Sequence, residues 1–431
     1  MDQQRLSSLL RAATDAARAG RRDEAARLYR QVLAEGGEQP VALNALAMQA
    51  LAAGDPADAA GLFRRAVAAD PRSPDLGMNL AKACRDAGDT AGERAALEGV
   101  LAIDRTHFMG VVRMAELLDR IGAQAEAADY WGGVVQMGAA IEPRTPGLEM
   151  LLEQARDQVA NSRTAFARVL DDGLAPIRAR MAPTERRRVD VCMDHLLGRR
   201  QIYANQPHGL HVPFLPADEY FPKELFPWMG EIEAQTAAIR AEAEALLADP
   251  VDAGLSPYVT MPKGTPDNKW SPLNNSLTWS ALHLWKDGRR NDEACARAPV
   301  TAEAVKALPL SDLPGRTPTV FFSVLQPGAH LPAHTGVSNV RAIIHLPLIV
   351  PPGCSFRVGG ETRDWVEGEA FAFDDTIEHE AWNRSDQVRA ILIFDVWNPY
   401  ITEAERAFLR EYARVSDASG MQVGAAGGVS D

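Results

Sequence analysis

Residues 326–399 read QPGAHLPAHTGVSNVRAIIHLPLIVPPGCSFRVGGETRDWVEGEAFAFDDTIEHEAWNRSDQVRAILIFDVWNP. Apolar residues alternate with polar or small ones in short runs, and PG, PPG, GG and EG pairs separate the runs. A period of two broken repeatedly by turn residues predicts short antiparallel strands. With TVFFSVLQ (319–326) just upstream, the runs NVRAIIHLPLIV, CSFRV, ETRDWV, EAFAFDD, HEAWN and QVRAILIFDVW give seven strand candidates. Strands of such even spacing build a sandwich or a jelly-roll barrel. Four of the nine histidines fall in this stretch: His330, His334, His345 and His379. A barrel mouth lined by histidine suits a mononuclear metal.

His334 sits in PAHTG, read as a turn before a strand, and His379 in DDTIEHEAW, 45 residues later. In a two-histidine, one-carboxylate iron site the acid commonly follows the first histidine by two residues. That position is Gly336. A third ligand then comes from Asp374 or Asp375, or water fills the place. Without a metal, both histidines would be hydrogen-bonded strand-end residues. Alternation places Arg389 with Ile391 and Ile393, and Arg341 with Ile343 and His345. An arginine among inward aliphatics is costly unless it meets an anion. Arg389 therefore binds an acidic ligand through its planar fork, or forms an internal ion pair with Asp395 or Asp374.

Upstream the texture differs. Residues 1–138 are Ala-rich and helical in pattern, with Gly20, Gly54, Gly88 and Gly122 spaced 34 apart. Tyr29, Phe63, Leu97 and Trp131 keep the same step, as do Ala26, Ala60 and Ala128, with Arg94 breaking the series. That period resembles a tetratricopeptide array of antiparallel helix pairs. Residues 147–180 read as one or two connecting helices, 207–228 as a Pro- and aromatic-rich loop, and 229–248 as an amphipathic helix. His208 and His211 read as loop histidines, without an acidic or Cys partner at ligand spacing. The expected divisions are repeats over 1–140, a helical connector over 141–206, a β domain over 207–412 and a flexible tail over 413–431.

The 431 residues carry 45 Lys and Arg against 58 Asp and Glu, a net charge of −13. A general nucleic-acid or anionic-membrane binder needs clustered cations, so neither partner is expected. The four cysteines are scattered and form no CxxC pair, so neither a cysteine zinc site nor a disulfide framework is indicated. No apolar run reaches the ~18 residues of a membrane span. The first twenty residues lack the apolar core of a secretory signal, so a cytoplasmic location is expected.

The ordered set PAHTG, GCSFRVGGETRDW, FDDTIEHEAWN and RAILIFDVWNP resembles the catalytic core of the aspartyl/asparaginyl β-hydroxylase family. The similarity extends through TWSALHLWKDGRRNDEACARAP and, more weakly, to about Leu210. It implies an α+β multidomain chain: an all-α tetratricopeptide-like solenoid, then a double-stranded β-helix (jelly-roll or cupin-like) oxygenase. It implies an Fe(II)- and 2-oxoglutarate-dependent dioxygenase that uses O2 to hydroxylate a C–H bond, such as the β-carbon of Asp or Asn in a peptide. The resemblance assigns His334 and His379 to iron, and Arg389 with Ser323 to the distal carboxylate of 2-oxoglutarate. His345 would sit by the carboxylate nearest the metal, with Trp279 and Arg341 in the co-substrate pocket.

The sequence also departs from the family. The usual R-x-R-x-H after the first ligand reads Arg341-Ala342-Ile343-Ile344-His345, so the second arginine is lost. Ala302 stands seven residues after Cys295, where animal members have a cysteine, so that disulfide is absent. Two rival readings remain: an iron-dependent halogenase, and a non-catalytic repeat scaffold that only binds 2-oxoglutarate. The repeats are expected to hold a peptide or protein substrate.

Overall fold

The computed structural model describes residues 3–249 and 253–420. They divide into two compact units, Met1–Arg180 and Met181–Asp431. The first is all helical. Its eight short helices are α1 (Gln3–Arg18), α2 (Arg22–Gly36), α3 (Pro40–Ala52), α4 (Pro56–Ala69), α5 (Pro74–Asp86), α6 (Thr90–Ile103), α7 (Phe108–Arg120) and α8 (Gln124–Gly138). The 34-residue step has a direct structural cause. Gly20, Gly54, Gly88 and Gly122 all adopt φ between +73° and +80°, the left-handed turn that closes each helix pair. The side chains of Asp55, Ser73 and Asp89 cap the helices that follow, and proline opens α3, α4 and α5. Tyr29, Phe63, Leu97 and Trp131 are all buried, so the column of large residues is a column of core residues.

The connector is not a separate piece. Its long helix α9 (Pro146–Arg178) packs on α8 and joins the repeat core through Leu152 and Ala155. Helix α10 (Pro183–Leu196) belongs to the second unit, where Arg187 pairs with Glu361 at 2.9 Å. The single helix expected over 229–248 is broken at Ala234–Gln235 into α11 (Met229–Glu233) and α12 (Thr236–Ala248).

The second unit is β-rich. Its strands are β1 (Ser256–Pro257), β2 (Trp279–Lys286), β3 (Arg289–Arg290), β4 (Val320–Leu325), β5 (His330–His334), β6 (Arg341–Ile349), β7 (Cys354–Val358), β8 (Glu361–Asp364), β9 (Phe371–Phe373), β10 (His379–Asn383) and β11 (Arg389–Trp397). They form a seven-stranded sheet, β1-β2-β4-β11-β6-β9 with β3 on β2, and a four-stranded sheet, β5-β10-β7-β8. All strand pairings are antiparallel. Two elements differ from the reading by alternation: β2 joins the large sheet from well upstream, and His334 ends a strand rather than lying in a turn.

Alternation gives the large sheet two apolar faces. One carries Leu282, Phe322, Ile344, Leu346, Leu392 and Phe394 and is covered by α12, α13 (Asp292–Arg297) and α14 (Pro299–Lys306). The other carries Trp279, Leu325, Ile343 and Ile391 and meets Leu331, Phe356, Val358 and Ala381 of the small sheet. The candidate site lies in this second layer. The final helix α15 (Glu403–Ser419) runs through residues where the tail was expected, with Thr402 and Glu405 forming a capping box. The rest of that segment, 421–431, lies outside the described residues. All four cysteines are free thiols.

Candidate functional site

Antiparallel pairing sets His379 directly opposite His334 in the small sheet. Their ring centroids are 4.1 Å apart. Each Nδ1 lies against the carbonyl oxygen two residues earlier: Pro332 at 2.8 Å for His334, and Ile377 at 3.0 Å for His379. A ring that donates Nδ1–H to a carbonyl keeps its Nε2 lone pair free, the arrangement found behind metal-ligating histidines. Burial pushes the His379 pKa down to about 4, and burial together with His379 holds His334 well below the usual imidazole range. Both shifts favour the neutral ring, the form that ligation requires. Trp270 packs edge-on against His334 at 5.0 Å, and Phe373 against His379 at 5.2 Å.

No third carboxylate joins them. Among the described residues no group of three His, Cys, Asp or Glu side chains is placed to hold a metal. Gly336 shows why: a Cβ built there would fall on the Asp375 carboxylate. Asp375 therefore fills the space that a side chain at 336 would need, and it faces Arg341 at 3.1 Å. Asp374 points elsewhere, accepting from Asn205 at 2.7 Å and from Thr376 at 2.6 Å.

Arg389 is 1% exposed and, among the described residues, has no carboxylate partner. Its Nη1 donates to the Ser323 carbonyl (3.2 Å) and Oγ (3.3 Å), and its guanidinium lies 4.6 Å over the Trp365 ring. Its Nε is buried without any partner, and burial lowers its pKa to about 10. The internal ion pairs with Asp395 or Asp374 do not form. Buried polar groups are paired in nearly all native interiors, so the unpaired fork is suited to an anionic ligand. Trp279 Nε1 donates to Ser323 Oγ at 3.1 Å, orienting that hydroxyl. Three more orphaned polar atoms, His345 Nδ1, Trp365 Nε1 and Trp270 Nε1, lie in or against the same apolar layer. Neutral histidines with free Nε2 atoms beside an uncompensated arginine fit a metal and a carboxylate ligand.

Arg341 is placed differently. Its Nη1 pairs with Asp395 and its Nη2 with Asp375, both at 3.1 Å. Burial opposes its charge, but the two carboxylates outweigh that and hold its pKa above the ordinary range. It is a neutralised guanidinium rather than a free one.

Several residues of this layer, His208 apart, were not singled out in the sequence. Asn205 Nδ2 bridges Asp374 and Thr376, and the Gln206, His208 and Gly209 amides donate to Thr376, Gly336 and Val337. Residues 205–209 thus strap the loops that follow His334 and precede His379. Tyr258 stacks on Trp279 at 3.9 Å, and His283 stacks on Phe321 at 5.0 Å. The signal for His283 is its position in WSALHLWK, two strand steps beyond Trp279 on the same face.

Comparison with known proteins agrees with this geometry. Residues 233–399 match the aspartyl/asparaginyl β-hydroxylase family model, and residues 10–74 and 50–108 match tetratricopeptide repeat models. The chain is 41% identical over 139 residues to the aspartyl/asparaginyl β-hydroxylase of Homo sapiens, covering 32% of this chain and 18% of that protein. It is 37% identical over 177 residues to the ornithine lipid ester-linked acyl 2-hydroxylase of Rhizobium tropici, covering 40% of this chain and 58% of the relative. It is 32% identical over 209 residues to aspartate β-hydroxylase domain-containing protein 1 of Mus musculus, covering 47% and 55%. The chain thus spans less than two thirds of these relatives.

Proposed function

We propose, from an aspartyl/asparaginyl β-hydroxylase domain joined to tetratricopeptide repeats, that this protein is an Fe(II)- and 2-oxoglutarate-dependent hydroxylase of a peptide or protein side chain. The observation that carries the reading is the pairing of His334 and His379 beside a buried arginine with no counter-ion. The two facing sheets favour the double-stranded β-helix form of this domain.

In this reading the His334 and His379 Nε2 atoms hold the iron, and carbonyls behind each ring keep its tautomer and angle fixed. Arg389 and Ser323 take the distal carboxylate of 2-oxoglutarate, while Trp365 supports the guanidinium from its face. His345 Nδ1 and the two indole N–H groups supply further polar atoms in a dry pocket. Iron with 2-oxoglutarate supplies the O2-derived oxidising power for C–H hydroxylation, the co-substrate leaving as succinate and CO2. The protein's part is to hold both partners in line and to exclude water. The aromatic wall of Trp270, Trp279, Phe356 and Phe373 serves the second purpose. Purified full-length protein with Fe(II), 2-oxoglutarate and O2 should release succinate, and His379→Ala should abolish it. Equal release by the variant would overturn the assignment.

A further inference from the structure

Residues 205–212 form no helix or strand, yet they are hydrogen-bonded along their length to the loops beside the paired histidines. Two ties run to the loop ahead of His379. Asn205 Nδ2 donates to Asp374 Oδ2 at 2.7 Å and to Thr376 Oγ1 at 2.9 Å, and the Gln206 amide donates to the Thr376 carbonyl at 2.7 Å. Others run to the loop after His334. The His208 and Gly209 amides donate to the Gly336 and Val337 carbonyls at 3.2 and 2.8 Å. Ser338 Oγ donates to the Leu210 carbonyl at 2.6 Å, and Asn339 exchanges two bonds of 2.8 Å with the Val212 backbone. The contact is close: a Cβ at Gly209 would lie 3.0 Å from Val337 Cγ1 and 3.1 Å from the Val337 carbonyl oxygen.

The tie at Asn205 leads to a histidine ring. Thr376 donates its amide and its hydroxyl to Asp374 Oδ1 at 3.0 and 2.6 Å, and the Ile377 amide donates to the Asp374 carbonyl at 3.1 Å. This tight turn aims the Ile377 carbonyl at His379 Nδ1, 3.0 Å away. Both hydrogens of the Asn205 amide are spent on the turn, one on each of its polar side chains. A site with three protein ligands fixes its metal by three anchors. Among the described residues no third ligating side chain joins His334 and His379. The angle between the two imidazoles therefore depends on the loops behind them, and residues 205–209 bond to both loops. Partners that orient a ligand from behind are commonly worth about 10–100-fold in metal affinity.

We infer that Asn205 is a positioning residue of the metal site: through Asp374 and Thr376 it holds the turn that aims His379, and residues 206–209 lock that turn to the loop beyond His334. This rests on the hydroxylase reading and names what gives a two-histidine site its rigidity. The experiment titrates the full-length protein anaerobically with Co(II), whose visible bands report ligand geometry, and melts the metal-free protein in parallel. Asn205→Ala should raise the Co(II) Kd roughly tenfold or more and alter the bands, while the metal-free protein still melts cooperatively. Thr376→Val should do the same, and the double variant should bind no worse than the weaker single, because both break one network. Gly209→Val, which wedges the strap off Val337, should weaken Co(II) binding in the same way. Unchanged Kd and bands in Asn205→Ala, even with a lower Tm, would show a purely structural tie and overturn the inference. Independent, additive losses in the double variant would overturn it as well. Wild-type protein that takes up no Co(II), or uptake that survives His379→Ala, overturns the hydroxylase reading and the inference with it.

Discussion

Replacing Arg389 by Met should make the ligand-free protein more stable while removing its response to 2-oxoglutarate. The guanidinium is fully buried, and loss of water without a compensating carboxylate pulls its pKa well below the ordinary guanidinium range, to about 10. At 1.36 kcal/mol per unit, that shift corresponds to about 3 kcal/mol of strain on the charged form. The sign follows from linkage: a base with depressed folded pKa weakens the fold at every pH below its folded pKa, pH 7 included, and the penalty is relieved as pH rises from about 10 toward the ordinary guanidinium range. Methionine has similar length and no charge. It forfeits the Ser323 hydrogen bonds and the Trp365 contact, together about 1–2 kcal/mol. The net gain is about 1–2 kcal/mol, a rise in Tm of a few degrees for a unit of this size. In the wild type, 2-oxoglutarate at 100 times its Kd should add about 2.7 kcal/mol, and in the variant nothing. Thermal melts with Mn(II) in place of iron, with and without 2-oxoglutarate, measure both effects. A variant that melts several degrees lower and keeps the ligand-induced shift would refute the account of Arg389 as an unpaired anion receptor.

Gly336→Ala should destabilise the second unit by about 1–3 kcal/mol, because its Cβ collides with Asp375, whose carboxylate is held by Arg341; urea denaturation read at the second unit checks this. Trp131→Ala should cost the repeat unit about 3–5 kcal/mol, since it empties a fully buried site and strands the Asp119 carboxylate that accepts from Trp131 Nε1 at 2.7 Å; calorimetry should show the loss in that unit. Burial pushes the Asp374 pKa up to about 6, so its folded form holds a proton that the unfolded chain releases, and its contribution to stability falls as pH rises from about 4 to 6. Asp374→Asn should remove that slope, so its stability relative to wild type improves by up to about 3 kcal/mol between pH 4 and pH 7 in urea titrations.

The repeats were legible because one backbone requirement, a left-handed turn every 34 residues, selects glycine and leaves a visible column. The strands were legible because short runs rich in β-branched and aromatic residues are cut by turn residues; β4, β6 and β11 are buried on both faces, and alternation is clear in β8 and β10. His334 and His379 could be singled out, but their pairing across β5 and β10 depends on register, which the sequence leaves open. Arg341 and Arg389 look alike as inward arginines. Only the structure shows that Asp375 and Asp395 satisfy one and that no acid reaches the other. Asn205 and His283 were missed because their partners are distant in sequence or absent. The break between α11 and α12 and the length of α15 were missed for a simpler reason: neither carries a proline to mark the boundary.

The central claim is that two histidines, without a protein carboxylate, hold one metal ion to which 2-oxoglutarate is added. Anaerobic titration of the full-length protein with Fe(II) in the presence of 2-oxoglutarate tests it, read by the visible absorption that a chelating 2-keto acid acquires on Fe(II). One equivalent should develop the band in the wild type and in Asp374→Asn, and none should develop in His334→Ala or His379→Ala. A full band in either histidine variant, or its loss in Asp374→Asn with the fold intact, would contradict the account.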